Sequence, residues 1–163
     1  VKTKIFLGAL FVFVVIQFIR PSKNLGASAG APANDITVLH PTPAVVKDAL
    51  ERACYDCHSD RTRYPWYAEI QPVGWWLANH VSDGKRHLNF SQFGTYEPKR
   101  ATRKMKQTIE QLRDGEMPLT SYTWIHRDAR LSDEERTVLE SWAQTVQERV
   151  TASPLASAAP SAK

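Results

Sequence analysis

The sequence predicts an all-α protein: a small helical domain with long, aromatic-rich connections, preceded by an N-terminal transmembrane helix. Three observations carry this. Apolar residues recur at helical spacing, between start and stop residues, through much of 42–150. No stretch sustains the apolar/polar alternation of a half-buried strand. Ile5 to Ile19 (IFLGALFVFVVIQFI) runs for fifteen residues without a charge and with one polar side chain, Gln17.

That apolar run is the first element. Lys2 and Lys4 precede it, and Arg20 and Lys23 follow. Charges are costly at the bilayer centre, so the run is bounded on both sides. Fifteen residues fall short of the roughly 20 that span a bilayer, and snorkelling of Lys4 and Arg20 makes up part of the gap. Two readings compete: a cleaved signal segment ending at Ala27-Ser28-Ala29, and an uncleaved anchor. The small residues lie well beyond the apolar run, past Pro21 and Lys23, which favours the anchor. The expectation is a single pass in the cytoplasmic membrane, with residues 5–19 in lipid and the domain on the periplasmic side.

The remaining divisions follow from composition. Residues 24–41 read as a flexible linker, 42–150 as the folded domain and 151–163 as a disordered tail. The whole chain of 163 residues carries a net charge of +4, yet 40–150 holds 16 basic and 16 acidic residues. The excess flanks the apolar segment, so it marks topology and not a nucleic-acid surface. Two cysteines exclude a disulfide-dense scaffold and a four-cysteine metal site.

Within the domain, Thr42 is placed to cap a helix with Pro43 at its first position, and Val45, Val46, Ala49, Leu50 and Ala53 follow at helical spacing. Pro72 precedes a helix through Trp75, Trp76 and His80, expected to end near Gly84. Pro98 opens another, with Ala101, Met105, Ile109 and Leu112 on one face and Gly115 as its stop. Ser132 and Glu135 form a capping box before a last helix striped by Val138, Leu139, Trp142, Val146 and Val150.

Both cysteines fall in Cys54-Tyr55-Asp56-Cys57-His58. C-x-x-C-H is the spacing of c-type haem attachment. Two thiols three residues apart on a helical turn reach two vinyl groups on one porphyrin edge, and the next imidazole supplies an axial nitrogen to iron. Competing readings are weaker. A redox dithiol wants a strand before it, and a zinc site wants further ligands that no other cysteine supplies. One covalent haem c is therefore expected, with Cys54 and Cys57 as thioethers and His58 as the proximal ligand. For the second axial position the candidates are Met117, Met105, His80, His87 and His126. Met117 is preferred, because Gly115-Glu116-Met117-Pro118 leaves it on a loop after a helix stop. Met105 lies on an apolar stripe, where core packing is its ordinary role. His80 is the strongest histidine rival, and an open or water-bound position is the third possibility.

Cys54 to His58, Tyr64-Pro65-Trp66-Tyr67, Pro72 to Trp76, Leu88-Asn89-Phe90-Ser91, Gly115-Glu116-Met117-Pro118 and Ser121-Tyr122-Thr123-Trp124 together resemble the bacterial haem-binding domain family of small c-type cytochrome-like proteins. The resemblance covers about 42–148 and implies covalent haem without implying a reaction. The run from Val14 to Pro21 resembles the family's membrane anchor. A C-x-x-C-H followed by Met-Pro and a capped final helix is similar to the general class I cytochrome c plan, so the expected domain is cytochrome c-like. The long aromatic insert between His58 and Phe93 departs from a minimal cytochrome c.

With His58 and Met117 both on iron, the expected function is a membrane-tethered electron carrier and not an enzyme. The alternatives are a peroxidase-type enzyme or gas sensor with a labile distal position, and a haem-bearing subunit of a larger redox complex. Trp66, Trp75, Trp76, Tyr122 and Trp124 are expected either to shield the ring or to fill the core. Lys99, Arg100, Arg103, Lys104 and Lys106 form either a solvated helix face or a docking face for an acidic redox partner.

Overall fold

The computed structural model describes residues 1–26 and 32–152. The Ala27-Ser28-Ala29 cleavage site and the tail beyond residue 152 lie outside the described residues. Those described form eight α-helices and three 3₁₀ segments with no β-strand, as the missing alternation predicts.

The first helix, α1 (Lys2–Ile16), takes up the apolar run. Its fifteen residues rise about 22 Å, against roughly 30 Å of hydrocarbon in a bilayer. Among the described residues, no helix is long and apolar enough to cross a membrane. This overturns the transmembrane helix at 5–19, and with it the single-pass placement with a periplasmic domain. The physical reason begins at Gln17, which turns the chain onto the domain. Gln17 Nε2 donates to the Gln71 carbonyl at 3.2 Å, and the Gln71 amide donates back to Gln17 Oε1 at 2.9 Å. Trp75 Nε1 donates to the Ile19 carbonyl at 2.8 Å, and Arg20 and Lys23 pair with Glu69. Residues 17–23 are thereby tied to the domain, and the helical apolar run is cut short.

A short helix, α2 (Ile36–Leu39), lies inside the stretch expected to be linker. Asp35 caps it, its carboxylate accepting from the Thr37 amide at 2.9 Å, and Ile36 is wholly buried in the core. The packed unit thus starts ahead of Thr42. One helical turn is too short to register as a period.

Helix α3 (Ala44–Ala53) follows Pro43, which flanks it without a side-chain cap. Thr42 does not cap, because its hydroxyl donates to the His40 carbonyl. At Cys54 the backbone leaves helical geometry (φ −124°, ψ −43°), and α4 (Tyr55–His58) starts in a new direction. Helix α5 (Val73–His87) continues through Gly84, where an ending was expected. Gly84 serves a close approach instead of a stop, as described below.

Helix α6 (Pro98–Arg113) begins at Pro98, and Gly115 follows it with φ +71°, a conformation that favours glycine. After α7 (Thr120–Ile125), the last helix, α8 (Asp133–Thr151), carries the expected capping box. The Ser132 amide donates to Glu135 Oε2 at 2.9 Å, and the Glu135 amide to Ser132 Oγ at 3.2 Å. The core joins α6 and α8. Ala101, Met105, Ile109 and Leu112 meet Leu139, Trp142, Ala143 and Val146, and Val46, Ala49 and Leu50 of α3 close the third side. Val138 of the expected stripe is exposed.

Candidate functional site

Where α3, α4, α6 and α8 diverge, they leave a cavity of about 460 Å³. Leu50, Leu88, Phe90, Leu112, Leu139 and Trp142 give it an apolar lining. Cys54, His58 and Met117 are also on its wall. Cys57 is not, and His80 and His126 are not. Of the five candidates for a second axial ligand, only Met117 and His87 line it. Met105 is fully buried in the α6–α8 core, the packing role its stripe position predicts.

His58 is held by its backbone surroundings. Its Nδ1 lies 3.0 Å from the Gly84 carbonyl and 3.0 Å from the Leu88 carbonyl. Both partners accept, so Nδ1 carries the proton, and the lone pair falls to Nε2, the nitrogen left for a metal. Burial lowers the His58 pKa, although the two carbonyl contacts work against this, so the ring is neutral and competent as a ligand. The Phe90 ring meets it edge-on at 6.2 Å. His87 adjoins Leu88, so it sits at the His58 side of the cavity.

The geometry around Nδ1 depends on a glycine. A Cβ on Gly84 would lie 2.5 Å from the Cys57 carbonyl oxygen. Without it, α5 approaches the backbone of α4 closely enough for its carbonyls to reach His58. Gly74 plays a similar part upstream: a Cβ there would lie 2.4 Å from the Ala68 carbonyl and 2.7 Å from Gln71 Nε2.

Both cysteines are free. Burial, with a smaller contribution from Cys57, pushes the Cys54 thiol up to about 12, and burial with Asp56 pushes Cys57 to about 11. A redox dithiol needs a lowered thiol pKa and a strand ahead of it; the thiols shift the other way and helix α3 precedes Cys54, so that reading is disfavoured. No group of three or more His, Cys, Asp or Glu suited to a metal ion occurs among the described residues, which disfavours zinc.

Met117 is pinned by contacts the sequence does not advertise. Its amide donates to the Gln111 carbonyl at 3.2 Å, beside Glu116 at 3.0 Å. Arg136 Nη1 donates to the Leu112 carbonyl at 2.6 Å and the Met117 carbonyl at 3.3 Å. An arginine on α8 thus fixes the loop after α6. Asp56, inside the C-x-x-C-H motif, is buried and accepts from the Arg63 amide at 2.9 Å and the Tyr122 hydroxyl at 2.7 Å. It therefore anchors α4 to its neighbours, a role that spacing alone does not reveal.

Of the two roles open to the aromatic residues, shielding the ring or filling the core, neither is what the five take up. Trp66 and Trp124 are 77 % and 76 % exposed, and none of Trp66, Trp75, Trp76, Tyr122 and Trp124 lines the cavity. Trp75 is spent on the Ile19 carbonyl and Tyr122 on Asp56, while Phe90 and Trp142 supply the cavity's aromatic faces.

A roomy apolar cavity with a neutral, backbone-held imidazole on its wall suits a large flat cofactor that presents a metal, which places the domain among helical metal–macrocycle binders. The family comparison makes this specific. The haem-binding domain family matches residues 11–145, most of the chain, and the protein belongs to that family. It is a haem-binding protein. No curated protein and no solved structure matches the chain.

Proposed function

We propose that the haem is of c type, joined through Cys54 and Cys57, bound axially by His58 and Met117, and that the domain transfers electrons. The observation that carries the reading is the double backbone contact to His58 Nδ1, which leaves Nε2 as the ligand nitrogen in the residue adjoining the second cysteine. The donor set fits: an imidazole nitrogen, two free thiols and a thioether, with three of the four lining the same apolar cavity. Each thiol would give its sulfur to one vinyl carbon and its hydrogen to the other, a balanced addition that needs no oxidant.

Bound iron supplies a one-electron ferric/ferrous couple. The chain's contribution is to hold it. His58 is oriented by Gly84 and Leu88, Met117 is restrained by Gln111 and Arg136, and the apolar part of the lining would limit water around the metal. Methionine sulfur and apolar surroundings both favour the ferrous state.

The test is haem retention. Protein produced with c-type maturation should keep its pigment after denaturation and organic extraction, and Cys54→Ala and Cys57→Ala should each weaken that link. Pigment that extracts completely from the unaltered chain would refute covalent attachment while leaving haem binding intact. Carbon monoxide binding to the ferrous protein without unfolding would refute the six-coordinate carrier and favour a haem enzyme or gas sensor.

A further inference from the structure

One wall of the cavity is polar, and a single helix face makes it. Lys104, Gln107, Thr108 and Gln111 occupy i, i+3, i+4 and i+7 of α6 and all line the cavity. Such spacing puts them on one face, beside the buried stripe of Ala101, Met105, Ile109 and Leu112. Glu110 of the same helix lines the cavity too; Gln107, Glu110 and Gln111 are exposed while Lys104 and Thr108 are half-buried, so the row stands where the cavity meets solvent, and the Thr108 hydroxyl is spent on the Lys104 carbonyl. Lys104 has no carboxylate partner among the described residues. Its one side-chain bond is a long 3.3 Å donation to Gln107 Oε1. By contrast, Lys106 reaches Glu110 at 3.7 Å and Arg113 reaches Glu140 at 3.7 Å.

We propose that Lys104, with the side-chain amides of Gln107 and Gln111, binds the propionate carboxylates of the haem. An ammonium with two amide donors in one row is a carboxylate-binding set, and a cation beside an apolar cavity offsets the charge that the ligand's acidic edge brings in. The assignment rests on the reading that haem occupies the cavity walled by His58 and Met117. It gives the cavity a direction, with the acidic edge toward α6 and the thioether edge toward α3 and α4. Burial, with Arg103 and Arg100 nearby, lowers the Lys104 pKa, as befits a cation that lacks a counter-charge until the ligand arrives.

The groups that face Lys104 are known. Arg100, Arg103 and Glu110 share its helix, His87 comes from α5, and His58 and Cys54 line the same cavity. From α8 only Leu139, Trp142 and Ala143 reach the wall. An ionised propionate favours ferric iron, so the midpoint potential falls as pH rises through the propionate pKa, and a bound ammonium holds that pKa down.

The experiment is a redox titration of the haem-loaded chain over a range of pH, for the wild type, Lys104→Met, Lys104→Arg and Lys99→Met. His87→Gln separates imidazole titration from carboxylate titration. Lys104→Met should lower the potential more than Lys99→Met does and move the acid–base step to higher pH. Lys104→Arg and Lys99→Met should leave the step in place. A step that Lys104→Met does not move, or a wild-type potential with no step, overturns the assignment. If Lys104→Met takes up no haem, uptake by Lys104→Arg supports the assignment and failure of both overturns it. His58→Ala distinguishes the underlying reading: an unaltered haem spectrum in that variant means the haem lies elsewhere, and both proposals fall together.

Discussion

A methyl group on Gly84 would stand 2.5 Å from the carbonyl oxygen of Cys57. The neighbour is backbone and cannot swing aside, so the helix that carries Gly84 would have to retreat from the C-x-x-C-H turn. In an open helix, Gly→Ala gains up to about 1 kcal/mol. Here overpacking opposes that gain and costs about 1–3 kcal/mol. Gly84→Ala is therefore expected to lower the melting temperature and reduce haem uptake. Gly8→Ala, with nothing within 4 Å of the added carbon, should do neither. Thermal melts and haem content of the two variants, side by side, check this. Normal haem uptake by Gly84→Ala would show that the close approach is dispensable.

The two methionines should separate cleanly. Met105 is fully buried, so Met105→Ala is expected to cost about 2–5 kcal/mol and leave the ferric spectrum of surviving protein unchanged. Met117 is half-buried on the cavity wall, so Met117→Ala should alter the spectrum and lower the potential with a smaller stability loss. His80→Ala should change neither. His80 Nδ1 is 3.0 Å from the Trp76 carbonyl, its ring lies 4.2 Å from that of Trp76, and it is absent from the cavity. Absorbance and denaturant titration on the three variants give the comparison.

Acid stability should depend on Asp60. It accepts from Asn89 Nδ2 at 2.8 Å and Gln92 Nε2 at 2.6 Å and pairs with Lys85 at 2.9 Å, fastening the end of α5 and the following segment to the loop after His58. Burial pushes its pKa up, but the bonds from Gln92, Lys85 and Asn89 outweigh that and hold it below the ordinary carboxylate value. A lowered folded-state pKa means stability that is fully present above the unfolded-state value and lost as pH falls through the folded one. Asp60→Asn should cost about 2 kcal/mol near neutrality, and the gap should close in acid. Urea titrations at several pH values measure it, and a gap that stays constant with pH would exclude the carboxylate as its source.

Much of the architecture was legible because long helices write their period into the chain. The buried stripe of α6, the cap of α8 and the position of Met105 follow from spacing. C-x-x-C-H points to haem because sulfur and imidazole at those intervals have few other uses. What spacing could not carry was decided by contacts distant in sequence. Gln17 looked like one polar residue in an apolar run, yet its bonds to Gln71 turn the chain back onto the domain. Ile36 looked like part of a linker because one turn has no period. The tryptophans could have shielded the ring or filled the core, because composition does not say which way a ring faces. Gly84 resembled a helix stop because its use, a close approach to Cys57, involves a residue 27 positions away.

The basic run on α6 bears on partner choice. Lys99, Arg100, Arg103 and Lys106 are exposed, while Lys104 turns to the cavity. Four cations on the helix that walls the haem cavity would attract an acidic electron partner and raise its encounter rate, most strongly at low salt. Replacing Lys99 and Arg103 by Glu should slow oxidation of the ferrous protein by the hexacyanoferrate(III) anion by about tenfold at low ionic strength. The same pair should not slow a cationic cobalt(III) phenanthroline oxidant, and the difference should fade as salt is added. Stopped-flow traces with both oxidants report this directly. Equal rates for the variant and the wild type with the anion would mean that electrons leave by another face.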